Sequence, residues 1–124
     1  MSRLQKGDNV LEVGCGPGIL LDKISFQYPE LNFFGVEPGG EGFRFIIELL
    51  ESFDKRTNVK LLRKGYEDLK VEVKFDFIFL VNVFEHLPNW KHFLDFVKLA
   101  LSPQGTCLIL CPNYHFPYEP HFKL

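Results

Sequence analysis

The stretch NVLEVGCGPGILL, residues 9–21, decides the fold. A strand-like run, Asn9 to Val13, leads directly into Gly14, Gly16 and Gly18 and then into an apolar segment of helical character. Glycine reaches backbone dihedrals that other residues avoid, and it lets a ligand or another chain segment approach the main chain closely. A helix that begins after such a loop offers its first free N–H groups at the same place. A strand, a glycine turn and a helix in this order open a βα unit with a ligand-binding turn. Taken alone, the spacing also suits a turn that only packs a helix against a strand.

Working outward, short apolar runs alternate with amphipathic stretches, the pattern of an α/β chain with a parallel sheet. The helix in ILLDKISFQY stops at PE, because the residue before a proline resists helical dihedrals. Further strands are predicted at LNFFGVE (31–37), VKLLR (59–63), FDFIFLVNV (75–83) and TCLILC (106–111). A helix is predicted in EGFRFIIELLESF (41–53), where Phe43, Ile46, Ile47, Leu50 and Phe53 form an i, i+3, i+4, i+7 stripe. Another follows HLPN, with Trp90, Phe93, Leu94, Val97 and Leu101 on its apolar face, and SPQG reads as a turn. Right-handed crossovers wind five such strands into the order 3-2-1-4-5. The expected fold is a Rossmann-like, doubly wound parallel sheet with helices on both faces, one domain over residues 1–124. In such sheets the ligand lies beyond the carboxyl ends of the strands where their order reverses, here beside strands 1 and 4.

Composition narrows the partners. With 46% hydrophobic and 24% charged residues, the chain is in the globular range. A net charge of -2 leaves no basic footprint for nucleic acid. No apolar run approaches the roughly 20 residues of a membrane span, and MSRLQKGDN lacks the apolar core of a signal peptide. The three cysteines, an odd number in apolar contexts, read as reduced thiols of a cytoplasmic protein. Cys107, Cys111 and His115 stand four residues apart, but a strand spreads such positions widely, so no metal is expected.

Two acids flank the glycine loop. Glu37 ends the second strand 23 residues after Gly14, close to the roughly 20-residue spacing of an acid that takes ribose hydroxyls. Glu12 lies inside the first strand, where a buried acid is costly unless paired. It is expected to face the ligand end, reaching an ammonium directly or through water. A dinucleotide fingerprint would have its third glycine at position 19, which is Ile19. A nucleoside joined to an amino-acid ammonium fits better than NAD.

These residues resemble the class I S-adenosylmethionine-dependent methyltransferases. VLEVGCGPG is similar to that family's first motif and FFGVEP to its second; FDFIFLVNVFEHLPN and LSPQGTCLILCPN resemble its fourth- and fifth-strand segments. The resemblance implies S-adenosylmethionine as cofactor and in-line methyl transfer to a small-molecule acceptor. It implies that the main chain at Gly14, Cys15 and Gly16 follows the methionine part, with Gly18 opening the helix. Glu37 would take the ribose hydroxyls and Pro38 would lie near the adenine. Where the family commonly carries an acid for the adenine amino group, this chain has Gly65 and Tyr66, so Glu67 is the named substitute. The main chain at Val81 and Asn82 would face the methionine ammonium. No catalytic residue is assigned; His86 and the tail residues His115, Tyr118, Glu119 and His121 are candidates for a general base. The family's sheet usually ends in an antiparallel pair that this chain is expected to lack. TCLILC would then be an exposed apolar edge, inviting self-association or a partner chain. A cofactor-binding module without turnover and an NAD-binding Rossmann protein are the alternatives.

Overall fold

Val10, Leu11 and Val13 build the middle of the sheet, because their strand is covered on both faces and each is almost fully buried. The computed structural model describes residues 3–39 and 58–112; the helix predicted over 41–53 and the titratable tail lie outside them. The described strands are β1 (Asn9–Val13), β2 (Asn32–Val36), β3 (Val59–Leu62), β4 (Phe75–Val81) and β5 (Leu101–Leu110). The helices are α1 (Ile19–Gln27) and α2 (Trp90–Ala100), with single 3₁₀ turns at Tyr66–Asp68 and Phe84–His86. The sheet order is β3-β2-β1-β4-β5, as predicted. Every pairing is parallel, with Glu12 of β1 opposite Gly35 of β2 and Phe79 of β4.

Because side chains alternate across a strand, β1 sends Leu11 and Val13 into one core and Val10 into the other. The first core lies under α2 and gathers Ile78, Leu80, Phe93, Phe96 and Tyr66. Its aromatic rings meet edge-on: Tyr66 and Phe93 stand 5.2 Å apart at 84°. The second core lies under α1 and holds Leu21, Phe33, Phe79 and Cys15.

Two details depart from expectation. The buried face of α2 is Phe93, Phe96, Val97 and Ala100, whereas Trp90 is 49% and Leu94 36% exposed. The buried i, i+3, i+4, i+7 stripe thus starts at Phe93 rather than Trp90, and Leu101 lies outside the helix, beginning β5. SPQG is not a free turn. It lies within β5, where the step from Phe75 to Phe77 on β4 is matched by the step from Leu101 to Thr106. Gly105 makes this bulge fit, since a Cβ there would stand 2.7 Å from the Leu101 side chain and 3.0 Å from the Phe75 carbonyl. Asp76 ties the same end of the sheet, accepting from the Asn9 amide of β1 and the Ser102 hydroxyl of β5. As expected, β5 stands at the edge among the described residues, where Cys107 is half-buried and Cys111 exposed.

Candidate functional site

The glycine loop hangs from the end of β2. The amides of Gly14 and Cys15 both donate to the Val36 carbonyl, at 2.8 and 3.2 Å, which turns the chain sharply out of β1. Gly14 has φ 75, and a Cβ on it would stand 2.5 Å from Cγ2 of Val83, just past β4. No side chain fits there: the loop and the β4 end touch through the absence of a Cβ. Gly18, with φ 83, is the N-cap of α1. A Cβ on Gly18 would meet the Leu61 side chain at 2.6 Å, so this glycine seats α1 against β3.

Glu37 closes the loop from the other side. Its Oε2 accepts from the Gly16 amide at 3.1 Å and its Oε1 from the Gly39 amide at 3.2 Å. A carboxylate oxygen has two acceptor positions, so each oxygen keeps one for a further donor. Beside it opens a cleft of about 330 Å³, with Val13 and Gly14 on one side and Glu37 and Pro38 on another. Gly65, Tyr66 and Glu67 form a third wall, and Val83, His86, Leu87 and Pro88 a fourth. This is the switch point, where β1 is flanked by β2 and β4.

Glu12 lies beneath this loop. It is 4% exposed, and its Oε2 has no hydrogen-bond partner. Burial first, and the neighbouring Glu37 charge second, push its carboxyl up to about 7. Burial and the same two acids push the Cys15 thiol up to about 12, so at neutral pH it is a packed thiol and not a nucleophile.

Of the residues singled out in the sequence, Gly14, Glu37, Pro38 and Glu67 line the cleft, and Gly16 reaches it through its bond to Glu37. Glu12, Cys15, Gly18, Val81 and Asn82 do not line it. Asn82 has φ 54, and its amide donates to the Leu110 carbonyl, anchoring β5. Glu67 folds back over Gly65: its Oε2 occupies the space a side chain at position 65 would need. A carboxylate from two residues along thus stands where a side chain at position 65 would begin. Tyr66, by contrast, is 4% exposed and serves both core and cleft.

His86 lines the cleft with its imidazole 66% exposed. Sequence reasoning missed its neighbour Glu85, whose side chain is 7% exposed, whose Oε1 lies 3.9 Å from His86 Nε2, and whose Oε2 has no partner. It also missed Val83, Leu87 and Pro88. Their signal was position alone, directly after a buried strand at the switch point. Among the described residues, no three His, Cys, Asp or Glu side chains gather as a metal site, and no helix is long and apolar enough to cross a membrane.

A parallel 3-2-1-4-5 sheet with a glycine loop and a cleft at its switch point defines a Rossmann-like α/β domain. Residues 1–123 match the methyltransferase domain family, and the chain belongs to it. An uncharacterised protein of Mycobacterium tuberculosis is 36% identical over 128 residues, covering 100% of this chain and 42% of that protein. Pavine N-methyltransferase of Thalictrum flavum subsp. glaucum is 25% identical over 122 residues, covering 96% of this chain and 34% of the enzyme. The structure of PKMT2 from Rickettsia typhi, in complex with AdoHcy, superposes with a TM-score of 0.74 at 25% identity, covering 86% of this chain and 21% of that one. The chain therefore spans less than half the length of these proteins.

Proposed function

We propose that the chain is the cofactor-binding core of an S-adenosylmethionine-dependent methyltransferase acting on a small-molecule acceptor. The observation that carries this reading is Glu37, which lines the cleft while its carboxylate is held against the Gly16 amide. That geometry keeps an oriented acceptor pair for a vicinal diol, next to a backbone that a ligand can approach closely. Support also comes from the relatives: one is named for N-methylation, and the PKMT2 structure holds the demethylated cofactor.

Bound S-adenosylmethionine supplies an electrophilic methyl group on a sulfonium. The chain's share is binding, orientation and exclusion of water. In this reading Glu37 takes the ribose hydroxyls, Pro38 and Glu67 border the adenine, and the Gly14–Gly16 backbone follows the methionine part. An ammonium needs acceptors, so Glu12 and the carbonyls around Val81 and Asn82 are its partners. His86, at the open side of the cleft, is the group placed to take a proton from an acceptor that arrives protonated.

The same proposal covers residues 1–124 as one domain in the cytoplasm, in keeping with three free thiols. It also holds that copies associate through β5. Among the described residues that strand pairs only with β4 and exposes Leu108 and Leu110. A monomer at high concentration in light scattering rejects the association. Calorimetric titration with S-adenosylhomocysteine tests the cofactor, with micromolar binding expected. Binding followed by turnover on small amine or phenol acceptors establishes an enzyme; binding without turnover on any acceptor leaves a binding module.

A further inference from the structure

Resting on that cofactor reading, we propose that Glu12 is a proton-linked counter-charge: it carries a proton in the free protein and releases it to solvent when the ligand's ammonium arrives. The released proton comes from the carboxyl O–H, and the carboxylate left behind pairs with an ammonium that keeps all its own protons.

The geometry is that of a charge awaiting a partner. Glu12 is buried in the central strand, and one of its oxygens is orphaned. An ionised carboxylate in such a place is costly without a compensating cation or donors. Among the described residues, the elements around it supply neither to its Oε2. β2 brings Gly35, which has no side chain, and β4 brings Phe79. The loop brings Cys15, whose thiol stays protonated near neutral pH. The charged group acting on Glu12 is Glu37, another acid. Glu37 already accepts from the Gly16 and Gly39 amides. Buried, and with its Oε2 lacking a donor, Glu12 holds the proton, which agrees with a carboxyl pushed up to about 7. A cationic ligand group brought over the loop reverses the balance.

Linkage fixes the sign. A proton lost on binding makes affinity rise with pH below the free carboxyl's range and level off above it. S-adenosylhomocysteine is a suitable probe because its own amine and carboxyl titrate outside the interval of about pH 5 to 7. Titrations near pH 6 in buffers of different ionisation enthalpy are expected to show close to one proton released, falling toward none near pH 8. Affinity is expected to climb nearly tenfold from about pH 5.5 to 6.5. Glu12→Gln, which keeps the shape, is expected to bind with a flat pH profile and no proton release. Binding by the unmodified chain without proton release overturns this proposal and leaves the cofactor reading intact; no binding at any pH overturns both. Release that persists in Glu12→Gln but vanishes in His86→Gln assigns the proton to the cleft imidazole and also overturns it.

Discussion

The Gly16 amide donates a 3.1 Å hydrogen bond to Glu37 Oε2, joining the loop after β1 to the end of β2 across 21 residues of chain. A single acid thus has two duties: it shapes the glycine loop, and it offers its remaining acceptor positions to the cleft. The same carboxylate supplies the field that reaches Glu12 below.

In the proposed reading, this double duty makes Glu37 the side chain to test first for binding. Glu37→Ala is expected to weaken S-adenosylhomocysteine by ten- to a hundredfold, since hydrogen bonds to a charged group contribute about 1.5–3 kcal/mol. Glu37→Gln keeps one acceptor oxygen and is expected to lose less. Equal losses for the two in calorimetry would argue that the charge, and not the geometry, is what the ligand reads.

Gly14 and Gly7 separate backbone strain from collision. Both have positive φ, but a Cβ on Gly7 meets nothing within 4 Å whereas one on Gly14 meets Val83. Gly7→Ala is expected to cost about 1–2 kcal/mol. Gly14→Ala is expected to cost roughly 1–3 kcal/mol more through overpacking. Val83→Ala in the Gly14→Ala background is expected to recover part of that excess. A urea-denaturation double-mutant cycle reads this as a coupling of about 1 kcal/mol or more.

The face of α2 is open to a direct comparison. Phe93 is fully buried among Tyr66, Phe84 and Phe96, so Phe93→Ala is expected to cost about 3–5 kcal/mol. Trp90 is half exposed with Lys91 Nζ 5.5 Å above its ring, and Trp90→Ala is expected to cost less than about 1 kcal/mol. Thermal unfolding of the two variants orders them.

Glu12 makes the free protein's stability depend on pH. Its folded carboxyl lies at about 7 against an ordinary 4.5, so the unfolded chain loses the proton first. Stability is therefore full below about 4.5 and declines as pH rises through about 7, by at most about 3 kcal/mol. Denaturation curves of Glu12→Gln are expected to lack this decline. A wild-type curve equally flat over that interval would mean that Glu12 is ionised in the folded chain.

Much of this fold was legible without coordinates. The apolar runs of β1, β2 and β4, the glycine loop and the acid at position 37 are local signals. Strand order followed from the handedness of βα crossovers rather than from any side chain. The lining of the cleft was legible where local spacing marks it, at Gly14 in the loop and Glu37 at the strand end. Glu85 and the inward turn of Glu67 were not, because nothing in their neighbours along the chain says which way they face.

By itself, then, the sequence determined the order of the five strands, the loop between β1 and α1, and the position of the acids, since these depend on spacing, on crossover handedness and on what each residue's own backbone permits. Tertiary structure alone decided that Val83 closes over Gly14, that Glu67 fills the space above Gly65, that α2 turns Phe96 inward and Trp90 outward, and that β5 bulges at Ser102–Gly105. Apart from the local turn of Glu67 over Gly65, each of these is a contact between segments distant in the chain. Such contacts are set by sheet register and close packing, where a few tenths of an ångström decide what fits, and periodicity carries no information at that scale.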